Sequence, residues 1–493
     1  MDATSGLGPR PLKCKAPVAT SNVCTHWGES RKLRCPPPGH PARASCPRGF
    51  VGEVTERECV EVVVDEGGEG WEVFRVKQQY RPLEGDSVLG RGAFGTVAPF
   101  YDTLNDRPVA IKKLHNPCLG SLSALLSAVR EIRCLQQLQA SKCGSILRLL
   151  DVFVTRAERR NDDWGDGCDL AWRAMEHPLD DRDIYLVTDM MDGSLHDLLH
   201  HIRCSDGQPL SIPDVKSMAC QLVEALAAMH RLGLMHRDLN ILLRDDQLQV
   251  ADFASCRVTS SRLYETLGRP LPEHSPVPPF CERPTDDDQA GGNVTPGDQV
   301  TTLWYRAPEV LASAMEYDEK VDMWAVGCVL AEMLGAPPLF ASADPKLLPF
   351  SQLTCIANLI GPPTSADLRY YAQNVSCDHD AALDWFERHC VSPAKPQMAL
   401  HEVLPADADP QAVDLVRRCL TYNPHDRISS SEALRHPFFA DVPETSRNGN
   451  EVRCLLQTSP GLNLESFVFE LTLAPGCTDP LPDLEKAYLL KRV

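Results

Sequence analysis

The chain has 493 residues, 43% hydrophobic and 24% charged, with 30 Gly against 40 Pro and a formal net charge of −19. One hydrophobic core stops growing near about 250–300 residues, so two packed lobes with extensions are expected. The composition excludes collagen-like, coiled-coil and wholly disordered chains, and the acidic balance argues against a nucleic-acid partner. The best apolar run, Val321 to Phe340, contains Asp322 and Glu332, so no membrane span is expected.

Residues 1–50 hold eight Lys or Arg and two Asp or Glu, which leaves −25 on the remainder. This stretch is rich in Pro, Ser and Cys without apolar periodicity, and 1–70 reads as a disordered basic extension. Its start has no apolar core long enough for a secretory signal, so the 20 Cys are expected to be reduced thiols in the cytoplasm or nucleus. No Cys-x-x-Cys spacing repeats, and Cys24, His26, Cys35, His40 and Cys46 do not make a zinc framework.

Order is expected from about Trp71, where WEVFRVKQQYRPLEGDSVLG, a Gly-rich turn and PVAIKKL read as strand, turn, strand. Leu122, Leu125, Leu126, Val129, Ile132, Leu135 and Leu138 then form the stripe of an amphipathic helix. SILRLLDVFV and DIYLVTDMM read as two more strands around an acidic surface insertion at about 157–183. From Asp214 helical patterns dominate. The fold class expected is therefore α+β, with a small β-rich lobe (71–191) before a larger α-helical one (192–439). Seven of the 28 residues from Arg269 to Pro296 are Pro, so about 260–297 is expected to be a long loop. The final stretch, 440–493, reads as an extension on the surface.

The chemistry-bearing residues come in a fixed order. Gly90, Gly92 and Gly95 in GRGAFGTV let backbone amides approach a polyphosphate, and the strand that follows favours a phosphate-covering hairpin over a dinucleotide fold. Lys112 in VAIKK offers a point charge to phosphates, and Glu131 on the amphipathic helix could pair with it. Asp238 in MHRDLNILL could take a proton from a hydroxyl nucleophile. Asn240 and Asp252, the latter in VADFASC, offer the oxygen ligands that a hard cation bridging phosphates requires. Ala307-Pro308-Glu309 completes the series.

Gly loop, Lys, helix Glu, H-R-D, D-F and A-P-E in this order resemble a eukaryotic protein kinase. FRVKQQYRPLEGDSVLGRGAFGTV, DIYLVTDMMDGSLHDLLH, WYRAPEV, DMWAVGCVLAEML and LTYNPHDRI are similar to the mitogen-activated protein kinases, with the cyclin-dependent kinases as the nearest competitor. The resemblance implies a bilobal kinase fold and a monomeric Ser/Thr kinase that uses ATP and Mg²⁺. It implies protein substrates with Ser/Thr-Pro sites, and upstream kinases and phosphatases as partners. It places Leu89, Gly90, Gly92, Gly95, Val97, Ala110, Lys112, Thr188, Asp189 and Met191 around the nucleotide, with Thr188 as gatekeeper and Asp189–Met191 as hinge. It gives Asp238, Lys112 and Glu131 catalytic roles and Asn240 and Asp252 metal roles. Asp322 would tie down the catalytic loop and Arg427 would pair with Glu309.

The sequence departs from that family in three places. His236-Arg237-Asp238-Leu239 runs directly into Asn240, three residues short of H-R-D-L-K-P-x-N and without its lysine. Base and metal ligand then cannot both be placed without shifting a flank. Ala254 replaces the Gly of D-F-G. The segment from Asp252 to Glu309 is 58 residues long, and Gly297-Asp298-Gln299 stands where a Thr-x-Tyr phosphosite is expected.

Overall fold

The computed structural model describes residues 52–53, 59–65, 71–83, 88–92, 95–114, 122–156, 182–204, 209–258, 303–312, 317–341, 349–374 and 400–442. The insertion expected at about 157–183 lies outside them up to 181, the loop expected at about 260–297 lies wholly outside them, and the extension expected at 440–493 lies outside them from 443.

In the small lobe the strands are β1 (Gly52–Glu53), β2 (Cys59–Asp65), β3 (Trp71–Lys77), β4 (Tyr80–Pro82), β5 (Gly90–Gly92), β6 (Gly95–Asp102), β7 (Arg107–Leu114), β8 (Leu149–Arg156) and β9 (Arg182–Asp189). Seven make one sheet in the order β1-β8-β9-β7-β6-β4, with β5 also paired to β6, while β2 and β3 form a separate antiparallel ribbon. Two expectations move. Structure begins before Trp71, because CVEVVVD alternates Val62 and Val64 into a core against Phe74 and Val76. The strand after the insertion starts at Arg182, one residue before the expected Asp183.

Alternation divides β7 between two environments. Val109 and Ile111 are fully buried with Phe74, Phe100, Phe153 and Tyr185, so Ala110 and Lys112 take the opposite face. On that face α1 (Leu122–Gln139) packs with Ala128, Ile132, Leu135 and Leu138 buried, the last three belonging to the stripe expected from the sequence. The same core runs without interruption into the large lobe.

The connection between lobes leads to β10 (Gly193–Ser194), α2 (Leu195–Cys204) and α3 (Ile212–Arg231). Ser211 caps α3 by accepting from the Asp214 N–H, and Pro213 sits in the first turn, where its missing N–H is harmless. Short strands follow: β11 (Leu234–Met235), β12 (Asn240–Arg244), β13 (Gln247–Ala251) and β14 (Arg257–Val258). β10, β12 and β13 form a three-stranded sheet, and β11 pairs with β14. The remaining described helices are α4 (Pro308–Leu311), α5 (Lys320–Met333), α6 (Pro349–Ile360), α7 (Ser365–Asn374), α8 (Leu400–Val403), α9 (Pro410–Cys419) and α10 (Ser430–Ala433). α5 is buried nearly all round, Asp322 included, and forms the axis of this lobe. No described helix is long and apolar enough to cross a membrane.

Candidate active site

Strand register assembles the cleft wall. Val97 on β6 and Leu186 on β9 both pair with Lys112, and Pro99 and Thr188 both pair with Ala110, so two rows of residues share one face. Gly90 and Gly92 pair with Val97 and Gly95, which makes β5 and β6 a glycine hairpin, and Leu89 at its base donates its N–H to the Val97 carbonyl at 2.8 Å. The hairpin tip, residues 93 and 94, lies outside the described residues. A β-carbon on Gly95 would run into the Lys113 carbonyl oxygen, so backbone packing demands glycine there.

Lys112 is where the three expected groups meet. Its Nζ donates to Glu131 Oε1 and Oε2 at 2.8 and 3.0 Å and to Asp252 Oδ1 at 3.2 Å. Burial alone would lower the ammonium, but the two carboxylates outweigh it and raise its pKa above the ordinary value. Burial works in the opposite sense on Glu131, raising the carboxyl against the pull of Lys112. With two oxygens within 3.0 Å of the ammonium, the ionised pair is the state we assign.

The loop that carries Asp238 runs from β11 to β12 and is held against Ala251 at both ends. His236 is fully buried, donates Nε2–H to the Ala251 carbonyl at 3.1 Å and stands 5.2 Å from the Phe253 ring. Four residues later Asn240 opens β12 as the ladder partner of Ala251. The turn between them uses Arg237 at φ 70, the left-handed region, and its strain is held by Asp322. One Asp322 oxygen accepts from the Arg237 N–H at 2.7 Å; the other accepts from the His236 N–H at 2.8 Å and from His230 Nε2 at 3.0 Å. His230 Nδ1 in turn meets Ser430 Oγ at 2.9 Å. Arg237 itself donates to the Ser255 carbonyl and the Tyr317 hydroxyl. The short loop is thus accommodated by drawing Asn240 into the strand.

Asp238 is exposed at the tip of this loop. The protein crowded around its carboxylate still raises its pKa, assisted by Asp252 and opposed by His236, Arg306 and Arg237. Asp252 follows β13 at φ 62, and Phe253–Ser255 form one turn of 3₁₀ helix with Phe253 and Ala254 buried. The left-handed residue among D-F-A is therefore Asp252, a type that tolerates it, and not the alanine that replaces glycine.

Asp252, half-buried, and Asn240, exposed on the neighbouring strand position, are oxygen donors that fit Mg²⁺, an ion that takes few protein ligands and completes its shell with phosphate and water. Among the described residues no group of three or more His, Cys, Asp or Glu could hold a metal ion by itself.

Below the sheet, Met191 packs with Leu147, Ala251 and Leu242 in a small separate cluster. Leu147 and Leu242 were not singled out from the sequence. Period-2 alternation in NILLR puts Leu242 on the Asn240 face of β12 and would have found it. Asp189 opens the hinge, but its N–H already donates to the Arg148 carbonyl at 3.3 Å. Arg427 holds Glu309 at 2.6 and 2.9 Å, with both side chains fully buried. The positions Gly297–Gln299 lie outside the described residues.

A glycine hairpin over a lysine paired with a helix glutamate, facing an H-R-D turn and a D-F turn, defines a protein kinase. The protein kinase domain family matches residues 83–439, and the chain belongs to that family. Its relatives place it with the mitogen-activated protein kinases. It is 30% identical over 380 residues to mitogen-activated protein kinase spk1 of Schizosaccharomyces pombe, covering 76% of this chain and 81% of that one. It is 29% identical to mitogen-activated protein kinase 14 of Xenopus laevis, over 75% of this chain and 81% of that one. Mitogen-activated protein kinase 4 of Oryza sativa is 27% identical, over 76% and 82% respectively.

Proposed function

We propose that this chain is an active protein serine/threonine kinase that transfers the γ-phosphoryl group of ATP, with Mg²⁺, to Ser or Thr followed by Pro. The observation that carries this reading is the Lys112 ammonium joined to Glu131 and Asp252, in a cleft that also holds Asp238. Mg²⁺, when bound, supplies charge neutralisation for the phosphates. Lys112, fixed by Glu131, supplies the protein's own positive charge to the same oxygens. The substrate hydroxyl oxygen bonds to the γ-phosphorus as the bond to ADP breaks, and its proton passes to the Asp238 carboxylate. The upward shift of Asp238 brings it nearer to the operating pH, where a general base is most effective.

The proline preference is supported by WYRAPE with Arg306, which resembles the kinases whose substrate groove accepts proline after the phosphorylated residue. A positional peptide library with labelled ATP tests the whole reading. Label should enter Ser and Thr, most strongly with Pro at the following site. Transfer without a proline preference would remove the specificity, and no transfer at all would remove the enzyme.

A second reading, a nucleotide-binding pseudokinase scaffold, is favoured by one observation: the turn from His236 to Asn240 lacks the three family residues, lysine included. It predicts ATP-dependent thermal stabilisation without turnover. Robust phosphorylation that depends on Asp238 would end it.

A further inference from the structure

We infer that Arg148 is a positioning residue for the nucleobase, clamping the first residue of the hinge and coupling it to the strand that leads into Asp252. The inference rests on the nucleotide-binding part of the function proposed above.

Arg148 lies just outside β8, 41 positions from Asp189 in sequence. Its Nε donates to Asp189 Oδ2 and its Nη2 to Asp189 Oδ1, both at 2.9 Å. The Asp189 N–H donates back to the Arg148 carbonyl. Side chain and main chain therefore hold the same residue from one direction. The carboxylate is the buried partner, with 8% of its side chain exposed against 56% for the guanidinium. An exposed ion pair contributes little to stability. Here the planar fork instead fixes both oxygens of a buried carboxylate, and with them the hinge backbone, a geometry that a lysine's point charge does not reproduce.

What lies behind Arg148 makes the clamp a link between sites. The Leu147 N–H donates to the Val250 carbonyl at 3.0 Å, and the Val250 N–H donates to the Ser145 carbonyl at 2.9 Å. Segment 145–148 is thus joined to β13 as a parallel bridge at Ile146 and Val250, two residues before Asp252. On the far side of the hinge, Arg244 Nη1 donates to the Met190 carbonyl and the Asp192 N–H to the Leu243 carbonyl. Arg244 and Leu243 belong to β12, the strand that Asn240 opens. Both metal-ligand strands therefore reach the hinge, β12 directly and β13 through its pairing with β12, through Ala251 against Met191, and through segment 145–148 and the Arg148 clamp.

The test measures direct binding of adenosine, ADP and Mg²⁺-tripolyphosphate to the full chain, as wild type, Arg148→Met and Arg148→Lys. Methionine keeps most of the aliphatic stem and removes the fork. We expect about two- to fivefold weaker adenosine and ADP binding in Arg148→Met, unchanged tripolyphosphate binding, and only partial recovery in Arg148→Lys. Equal adenosine affinity in wild type and Arg148→Met would overturn the inference. So would a parallel loss of tripolyphosphate affinity, the mark of general destabilisation. If wild type bound tripolyphosphate but neither adenosine nor ADP, both the clamp and the nucleotide reading beneath it would fall.

Discussion

Lys112 illustrates how one side chain serves stability and chemistry at once. Replacing it with methionine leaves Glu131 buried and uncompensated, so Lys112→Met should lower both the melting temperature and phosphoryl transfer, the latter by about a hundredfold or more. Adding Glu131→Leu should restore the melting temperature but not the transfer; if both returned, Lys112 would have no chemical role. Asp322 makes a different case. Burial would raise its pKa, but His230 and His236 overcome that and hold it below the ordinary value. A group depressed in the folded state contributes stability above its unfolded pKa of about 4, and that contribution fades as pH falls through the folded pKa. Denaturant unfolding followed with pH should show a steep acid limb in wild type. Asp322→Asn should be less stable at neutral pH with a flatter limb, and parallel curves would contradict the assignment.

Among elements, the contact of α5 with α9 leaves no room for one more atom. A β-carbon on Gly327 would lie 2.8 Å from Cys419 Cβ and 2.9 Å from Leu420 Cδ2, whereas one on Gly144 would meet nothing within 4 Å. Gly327→Ala should therefore destabilise by about 1–3 kcal/mol and Gly144→Ala should be close to neutral, as read from their urea midpoints. Equal midpoints would mean the two helices part without resistance. The elements also mark what the sequence made legible. Alternation in PVAIKKL and the apolar stripe of α1 are local signals, and both led to the right element, with the right face at Val109 and Ile111 and at Ile132, Leu135 and Leu138. CVEVVVD is obscured in the sequence because its Val run adjoins a tail whose composition reads as disordered, although Val62 and Val64 are buried in the sheet ribbon. Motif order located Lys112, Glu131, Asp238 and Asp252. It could not reveal Arg148 against Asp189 or Ser430 behind His230, because those contacts join positions far apart in sequence and exist only after tertiary packing.

At the scale of the molecule, the core that begins on α1 and continues through Phe253 into α5 ties the two lobes together behind the cleft. Asp322 and the buried Arg427–Glu309 pair brace the large lobe beneath it. That frame keeps its shape around a loop three residues shorter than the family's, which is why the loop is the point on which function turns. The most direct measurement is label transfer from γ-labelled ATP and Mg²⁺ to a Ser-Pro peptide by folded wild type and folded Asp238→Asn, side by side. An active kinase built as described here transfers label as wild type and loses about a hundredfold or more in the variant. Two folded proteins that bind ATP alike and transfer nothing, or transfer equally, would contradict it.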